Sequence, residues 1–144
     1  MRGVTFGNKH SYWAWGLMLR EAPKVTSPEP KTHYVDIPGA DGELDLTEAL
    51  TGKVQYKNRK ITMVFVTMAG REDWSAIYSD ILMELQGKLI RITLDDDPLH
   101  YYTGRVTVGE PTRMNAKTIM LNVSAEVEPY KKSINGDVML KCTR

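Results

Sequence analysis

From residue 60 onward, apolar and polar side chains alternate along much of the chain. In segment 119–127 every second residue is apolar, and the residues between them are mostly polar. Successive side chains of a β-strand point to opposite faces of a sheet, so this pattern predicts a strand that covers a core on one side. Segment 60–67 is mostly apolar at both parities and rich in β-branched residues, which predicts a strand buried on both faces. The apolar face of the first segment consists of Ile119, Leu121, Val123, Ala125 and Val127.

A β-hairpin is predicted between residues 89 and 109. Apolar side chains alternate with polar ones in LIRITL, and Asp95–Pro98 then supplies the residues of a turn. The return strand is HYYTGRVTVG, in which Tyr101 and Tyr102 must point to opposite faces. We therefore expect one of these two tyrosines to be exposed.

One segment departs from this period and predicts an α-helix. In DWSAIYSDILMELQG the apolar residues recur at intervals of three and four, which places them on one stripe of a helix. Asp73 is the predicted N-cap, and Gly87 is predicted to end the helix in a left-handed conformation. We expect this to be the only long helix and expect its stripe to pack on a sheet. The stripe consists of Trp74, Ile77, Tyr78, Ile81, Leu82 and Leu85.

The flanking segments are less regular. GVTFG and WAWGLMLR are interpreted as short strands, whereas the three prolines of REAPKVTSPEPKTH predict an exposed loop or extended arm. The last residues, SINGDVMLKCTR, predict a short extra strand or a loose tail. The resulting organisation is one β domain over residues 1–132, followed by a C-terminal segment over residues 133–144.

Composition narrows the functional classes. The 144 residues carry 19 Lys and Arg against 18 Asp and Glu, a formal net charge of +1, and neither sign is concentrated enough to predict binding of nucleic acid or membranes. Cys142 is the single cysteine and cannot form a disulfide within the chain. No apolar run is long enough for a membrane helix, and MRGVTFGNKH lacks the apolar core of a signal peptide, so we expect folding in a cytoplasm.

The acidic stretch VDIPGADGELDLTEALTG is the first candidate for chemistry. Its alternating acids lack the later bidentate glutamate of a calcium loop, and nothing in the sequence supplies the apolar setting of a catalytic carboxyl pair. Pro38, Gly39 and Gly42 instead favour a tight turn between two strands. We expect its acids to face solvent or a neighbouring subunit; they are Asp36, Asp41, Glu43, Asp45 and Glu48.

Other candidates for catalytic or metal-binding sites are weaker still. His10, His33 and His100 lie far apart with no second ligand at metal-binding spacing, so no metal site and no cofactor is predicted. The three acids 95–97 are interpreted as the solvated tip of a hairpin. No serine or cysteine has the neighbours of a nucleophile, so we predict no enzymatic activity.

The aromatic residues Tyr12, Trp13 and Trp15 allow two interpretations. Aromatic faces stack on sugars, but the same residues also serve as anchors of cores and interfaces, and the second use is favoured. Tyr101 or Tyr102 adds to the possible contact surface. A monomeric carbohydrate-binding module is therefore the alternative hypothesis of function, and a small hydrolase that uses Glu43 and Asp45 is a third.

The order of these segments resembles the N-terminal domain of the distal tail protein (Dit) family of siphophages that infect Gram-positive bacteria. The likeness extends from GVTFG to about Lys132. Each motif is short, but five in this order and at this spacing are specific. They are VDIPGADGELDLTEALTG, YKNRKITMVFV, a helix with a tryptophan that ends in LQGK, IRITLDDDPLHYYTGRVTV, and LNVSAEVEPYKK.

The resemblance implies a mainly β structural protein: a split barrel or β-sandwich with one flanking helix, related to the tail-tube fold, with a projecting hairpin or arm. It implies a homo-hexameric ring at the tail tip of the virion, assembled in the host cytoplasm. The tail tube protein would lie above the ring and the tail-associated baseplate protein below it, with a possible tape-measure contact. DNA would pass through the ring without specific binding, and no membrane would be involved.

Longer members of the family continue into a galectin-like carbohydrate-binding domain, whereas this sequence resembles a short form without it. The turn and buried polar positions of the family carry no catalytic role. We also infer, from the sequence alone, that Arg59 pairs with an acid of the 35–52 stretch. The matching positions are Pro38, Gly39, Gly42, Asp45, Asn58, Arg59, Gly104, Pro129 and Tyr130.

Overall fold

A computed structural model describes residues 3–49, 52–68, 71–134 and 138–139 of the protein. These residues form a mainly β structure with one long helix, as the sequence predicts. The strands are β1 (Val4–Phe6), β2 (Lys9–His10), β3 (Met18–Leu19), β4 (Lys24–Val25), β5 (Tyr34–Asp36), β6 (Glu43–Asp45), β7 (Arg59–Met68), β8 (Leu89–Leu94), β9 (His100–Arg113), β10 (Thr118–Val127), β11 (Lys131–Ser133) and β12 (Val138–Met139). The helices are α1 (Ser11–Trp15) and α2 (Arg71–Leu85).

Ten of these strands form one antiparallel sheet in the order β2-β1-β8-β9-β10-β7-β3. β4 also pairs with β7, and β11 pairs with both β9 and β12. The predicted hairpin β8–β9 and the one-sided strand β10 are present, and all five apolar residues of the β10 face are buried. β11 includes residues on both sides of the predicted domain boundary at residue 132, and it pairs with β9. The boundary itself stays a prediction.

The sheet curls around a single core. β1 and β7 are four strand spacings apart, which in a flat sheet would separate them by about 19 Å. The ring centroids of Phe6 on β1 and Phe65 on β7 are nevertheless only 6.3 Å apart. The two ends of the sheet therefore turn toward each other, as in an open barrel, and the apolar face of β10 lies in the same core.

The helix α2 covers this core with the predicted stripe. Trp74, Ile81 and Leu85 are buried, and the other three members pack against the core while partly exposed. Polar contacts fix the helix to β9: the Tyr78 hydroxyl donates to the Gly109 carbonyl at 3.1 Å. Gly87 has the expected positive φ of 70°. The helix begins at Arg71, so Asp73 lies within its first turn, and its prediction as N-cap is wrong.

Two other expectations are corrected. The aromatic part of WAWGLMLR is not a strand but the one-turn helix α1, because the His10 side chain accepts from the Tyr12 amide at its start and Gly16 takes a φ of 71° at its end. In β7 only one face is fully buried, because no layer formed by the described part of the chain covers the other face, where Thr62 and Val66 remain partly exposed. Among the described residues, no helix has the length and apolarity needed to cross a membrane.

An antiparallel ribbon projects from the edge of the sheet; we call its described residues, 26–49 and 52–57, the arm. β4 pairs with β7 so that Lys24 faces Thr62, and Pro30 faces Tyr56 in the same register farther out. Backbone hydrogen bonds continue this pairing, including one from the Lys31 amide to the Gln55 carbonyl of 2.7 Å. The arm ends in the hairpin β5–β6, so the predicted projection is a direct extension of two strands of the sheet.

Candidate assembly surfaces

The hairpin β5–β6 at the end of the arm is the predicted strand, turn and strand. Gly39 and Gly42 have φ values of 81° and 74°, which explains why the turn uses glycine at these positions. Every described residue from Lys31 to Asp45 is exposed, including Pro38 and the acids of both strands. The hairpin thus has no core of its own among the described residues.

Asp45 stabilises the base of this hairpin. Its carboxylate accepts from both the hydroxyl and the amide of Thr47, the latter at 2.9 Å. These two hydrogen bonds hold the pKa of Asp45 below its ordinary value, and the bond from the hydroxyl has the larger effect. In the structure this exposed carboxyl serves as a turn residue.

The acidic triplet 95–97 forms the tip of hairpin β8–β9, as predicted, but two of its three acids make structural contacts. Asp95 accepts from the Gly3 amide at 2.9 Å and from Nε2 of His10 at 3.0 Å. Nδ1 of the same imidazole accepts from the Tyr12 amide, so Nε2 carries the proton. The N-terminal segment is thereby fastened to this tip.

Asp97 fastens β11 to the same tip. It pairs with Nζ of Lys131 on β11 and with Nδ1 of His100, the latter at 2.7 Å. The side chains of Lys131 and Asp97 are only 7% and 23% exposed. Partial burial raises the pKa of Asp97, but the hydrogen bonds from Lys131 and then His100 outweigh it, and the net pKa is lowered. No local sequence signal pairs residues 97 and 131.

Arg59 is fully buried at the point where the arm leaves the sheet. Its Nε donates to the Thr26 carbonyl at 2.9 Å, its Nη1 donates to the Pro129 carbonyl at 3.3 Å, and its guanidinium lies 5.5 Å from the centroid of the Tyr102 ring. The inferred pairing with an acid of the 35–52 stretch is not among these contacts. These contacts tie the base of the arm to the segment that precedes β11, and the inferred pairing stays a prediction.

The remaining motif positions lie around this junction. Tyr130 packs edge-on against Tyr56 of the arm, with ring centroids 6.3 Å apart. Gly104 allows close approach of β9 to β10, since a Cβ there would lie 2.1 Å from the Glu126 carbonyl oxygen. Asn58 is exposed beside Arg59. Their functional roles stay predictions.

The predicted aromatic cluster is divided between core and surface. Trp15 is buried, and its Nε1 donates to Asp80 of α2 at 2.7 Å. Trp13 is 78% exposed and makes an edge contact with Tyr12. Of the two tyrosines on β9, Tyr102 is buried and Tyr101 is partly exposed beneath the Arg91 guanidinium. The exposed rings of Trp13 and Tyr101 therefore lie on different elements, α1 and β9.

The described part of the chain contains no group of three His, Cys, Asp or Glu side chains placed to hold an ion. Cys142 lies outside the described residues. The features that stand out are instead exposed apolar side chains on the arm, on α1 and α2, and at the ends of several strands. Such surfaces are typical of contacts between proteins.

Comparison with solved structures identifies a protein with a similar fold. The crystal structure of the SPP1 Dit (gp 19.1) protein, described as a paradigm of the hub adsorption apparatus in phages that infect Gram-positive bacteria, matches with a TM-score of 0.67 at 14% sequence identity. The match covers 92% of this chain and 52% of that one, so this chain spans about half the length of the SPP1 protein. The chain therefore has a Dit-like phage tail protein fold, as its motif order predicts.

Two further matches come from gene transfer agent particles. A chain of the native virion gives a TM-score of 0.42 at 11% identity, covering 98% of this chain and 95% of that one. A chain from the tail of the empty particle, with C6 symmetry, gives 0.36 at 9% identity, covering 85% and 81%. Both likenesses are too weak to carry an argument. No protein-family model and no curated protein matches the sequence.

Proposed function

We propose that this protein is a structural subunit that forms a hexameric ring at the distal end of a phage tail. The ring joins the tail tube to the tail-associated baseplate protein around the DNA channel, and it performs no catalysis. The observation that carries this proposal is the Dit-like fold over 92% of the chain. The exposed arm supports it, since a projecting hairpin is what a ring-forming subunit of this kind uses to contact its neighbour.

A ring also accounts for the edges of the sheet. β2 lies at one end of the strand order, β3 lies at the other, and both consist of two residues. Short edge strands limit uncontrolled pairing, whereas a heterologous interface that closes on itself covers edges in a defined way. Contacts between different surfaces of identical copies are therefore compatible with this sheet.

The proposed channel carries DNA without binding it specifically. Basic side chains on the lining would hold the phosphates by counterion release, so we expect acidic or neutral groups there. The near balance of 19 basic and 18 acidic residues supports this expectation, because the chain has almost no excess of basic side chains that would have to lie on the channel lining or elsewhere on the surface. The tape-measure protein is a further possible partner inside the ring, and the complex belongs to the virion tail tip.

Light scattering coupled to size exclusion tests the proposal. A ring of six copies of the 16.3 kDa chain has a mass of about 98 kDa, and negative-stain images of this fraction are expected to show six-fold particles with a central hole. Measurements over a range of concentrations are needed, since a ring dissociates on dilution. A chain that stays monomeric up to the solubility limit would refute the proposal.

The alternative is a monomeric carbohydrate-binding module, favoured by one observation: Trp13 is 78% exposed on a helix turn that is fixed at both ends. A glycan array with the wild type and Trp13→Ala separates the two functions. Binding that is lost in the variant, by a protein that remains monomeric, would support the alternative.

A further inference from the structure

The outer face of the sheet carries an apolar surface that no part of the described chain covers. Met18 on β3 and Met120 on β10 both lie opposite Val66 on β7, so the three side chains form a row across three strands. They are partly exposed, and Met68, two residues farther along β7, is 70% exposed. We call these four residues the methionine face. Flexible methionine side chains adapt to a partner's shape, which suits this surface to docking.

The border of the methionine face is basic. Nη1 of Arg20 lies 3.2 Å from the sulfur of Met120, so the guanidinium lies at the edge of the apolar row. Lys24 on β4 is exposed and faces Thr62, which places it on the same outer face of the sheet. An apolar surface with a basic border fits an apolar partner that carries acids.

The hairpin β5–β6 has that chemistry. Val35 lies opposite Leu44 on one side of the ribbon, and Ile37 follows Val35 on the same side. These three aliphatic side chains are 36%, 47% and 43% exposed, respectively. The other side carries Asp36, Glu43 and Asp45 together with Tyr34. A hairpin of two three-residue strands is marginal in water, so its apolar side needs a surface on which to pack.

The direction of the arm indicates that this surface belongs to another copy. The arm leaves β7 at Arg59, whereas Met68 is at the opposite end of the same strand, about 30 Å away at the rise of an extended chain. From Arg59 the paired ribbon continues in one register away from Met68, at least as far as Lys31 and Gln55. The hairpin and the methionine face therefore point in opposite directions within one chain, as head-to-tail contacts require.

We propose that the aliphatic side of hairpin β5–β6 in one copy docks on the methionine face of the next copy. Val35, Ile37 and Leu44 pack on Met68 and the row beside it, while the acids remain near the basic border. This inference rests on the proposed ring, and it adds the receiving surface, which the likeness in fold does not supply.

Disulfide trapping tests the contact. In the full-length Cys142→Ser background, the pair Leu44→Cys and Met68→Cys on one chain is expected to give, on mild oxidation, a ladder of crosslinked species up to six copies. A mixture of the two single-cysteine variants is expected to give crosslinked dimers only. The matched control carries Met83→Cys instead of Met68→Cys, together with Leu44→Cys; Met83 is a 77% exposed methionine on α2. It is expected to crosslink at the background level.

A second measurement does not depend on cysteine geometry. Because Met68 would be an anchor of the interface, Met68→Glu is expected to raise the protein concentration needed for ring formation by roughly tenfold or more. Met83→Glu is expected to leave this concentration nearly unchanged. Equal crosslinking of residues 68 and 83, or rings that are indifferent to Met68→Glu, would overturn this inference and leave the ring proposal intact. A wild type that never assembles overturns both.

Discussion

The ion pair between Asp97 and Lys131 gives the sharpest test of how the chain ends are held. Asp97→Asn removes the carboxylate charge while keeping the size of the side chain. A fully buried pair that loses one partner costs about 3–5 kcal/mol, and an exposed pair contributes about 0–1 kcal/mol. Because the two side chains are only 7% and 23% exposed, the pair lies nearer the buried limit. We expect a loss of about 2–3 kcal/mol of unfolding free energy.

The neighbouring acid supplies the matched control. Asp96 belongs to the same triplet and is exposed, so Asp96→Asn is expected to change stability by less than about 0.5 kcal/mol. Urea unfolding followed by tryptophan fluorescence measures both variants, at one fixed protein concentration because assembly would add to apparent stability. For a chain of this length, the loss at Asp97 corresponds to a Tm lower by about 6–9 °C. Equal behaviour of the two variants would refute the assignment.

The difference in stability between wild type and Asp97→Asn is expected to depend on pH in one direction. The pKa of Asp97 is lowered in the folded state, so its stabilising contribution is present above the unfolded pKa, about 3.9, and is lost as pH falls through the folded value. The difference between wild type and Asp97→Asn is therefore expected to be full at pH 7 and to shrink below about pH 4. A difference that stays constant down to pH 2 would contradict the electrostatic origin.

Three other substitutions test the fold by the same unfolding assay. Trp74→Ala is expected to cost about 3–5 kcal/mol because its ring is buried on the core side of α2, whereas Trp13→Ala is expected to cost little; similar losses would contradict the packing. Gly104→Ala is expected to destabilise strongly, since its Cβ would lie 2.1 Å from a carbonyl oxygen of β10, and an unchanged midpoint would exclude that close approach. Gly42→Val is expected to cost about 1–3 kcal/mol through its positive φ, with Ala40→Val as control, and proteolysis of the arm reports the local effect.

The parts of the fold that follow one period along the chain were predictable. β10 alternates without interruption, and the α2 stripe recurs every three to four residues, so each pattern identifies its element and its buried face. The hairpin turn at Gly39 and Gly42 was also predictable, because glycine readily adopts the positive φ that such turns require.

The errors occur where distant residues or missing layers decide the structure. α1 has only five residues, and it depends on a cap from His10, whose imidazole is held by Asp95 from 85 residues away. The second face of β7 is apolar without being fully buried, because periodicity reports apolarity and not what covers it. The contacts of Arg59 with Thr26 and Pro129 were likewise not predictable, because no local pattern connects these residues.

The arm is the segment in which such long-range contacts bear on the proposed assembly. Arg59 and Tyr130 fix its base to the rest of the chain, whereas its tip makes no core with the described residues. Ordering each residue of the tip costs about 1–2 kcal/mol of conformational entropy, and exposed side chains recover little of it. Packing on a second copy would recover more, because it buries aliphatic area on both partners. A firmly anchored base with an uncovered tip is therefore the arrangement expected of a segment whose stability is completed by assembly.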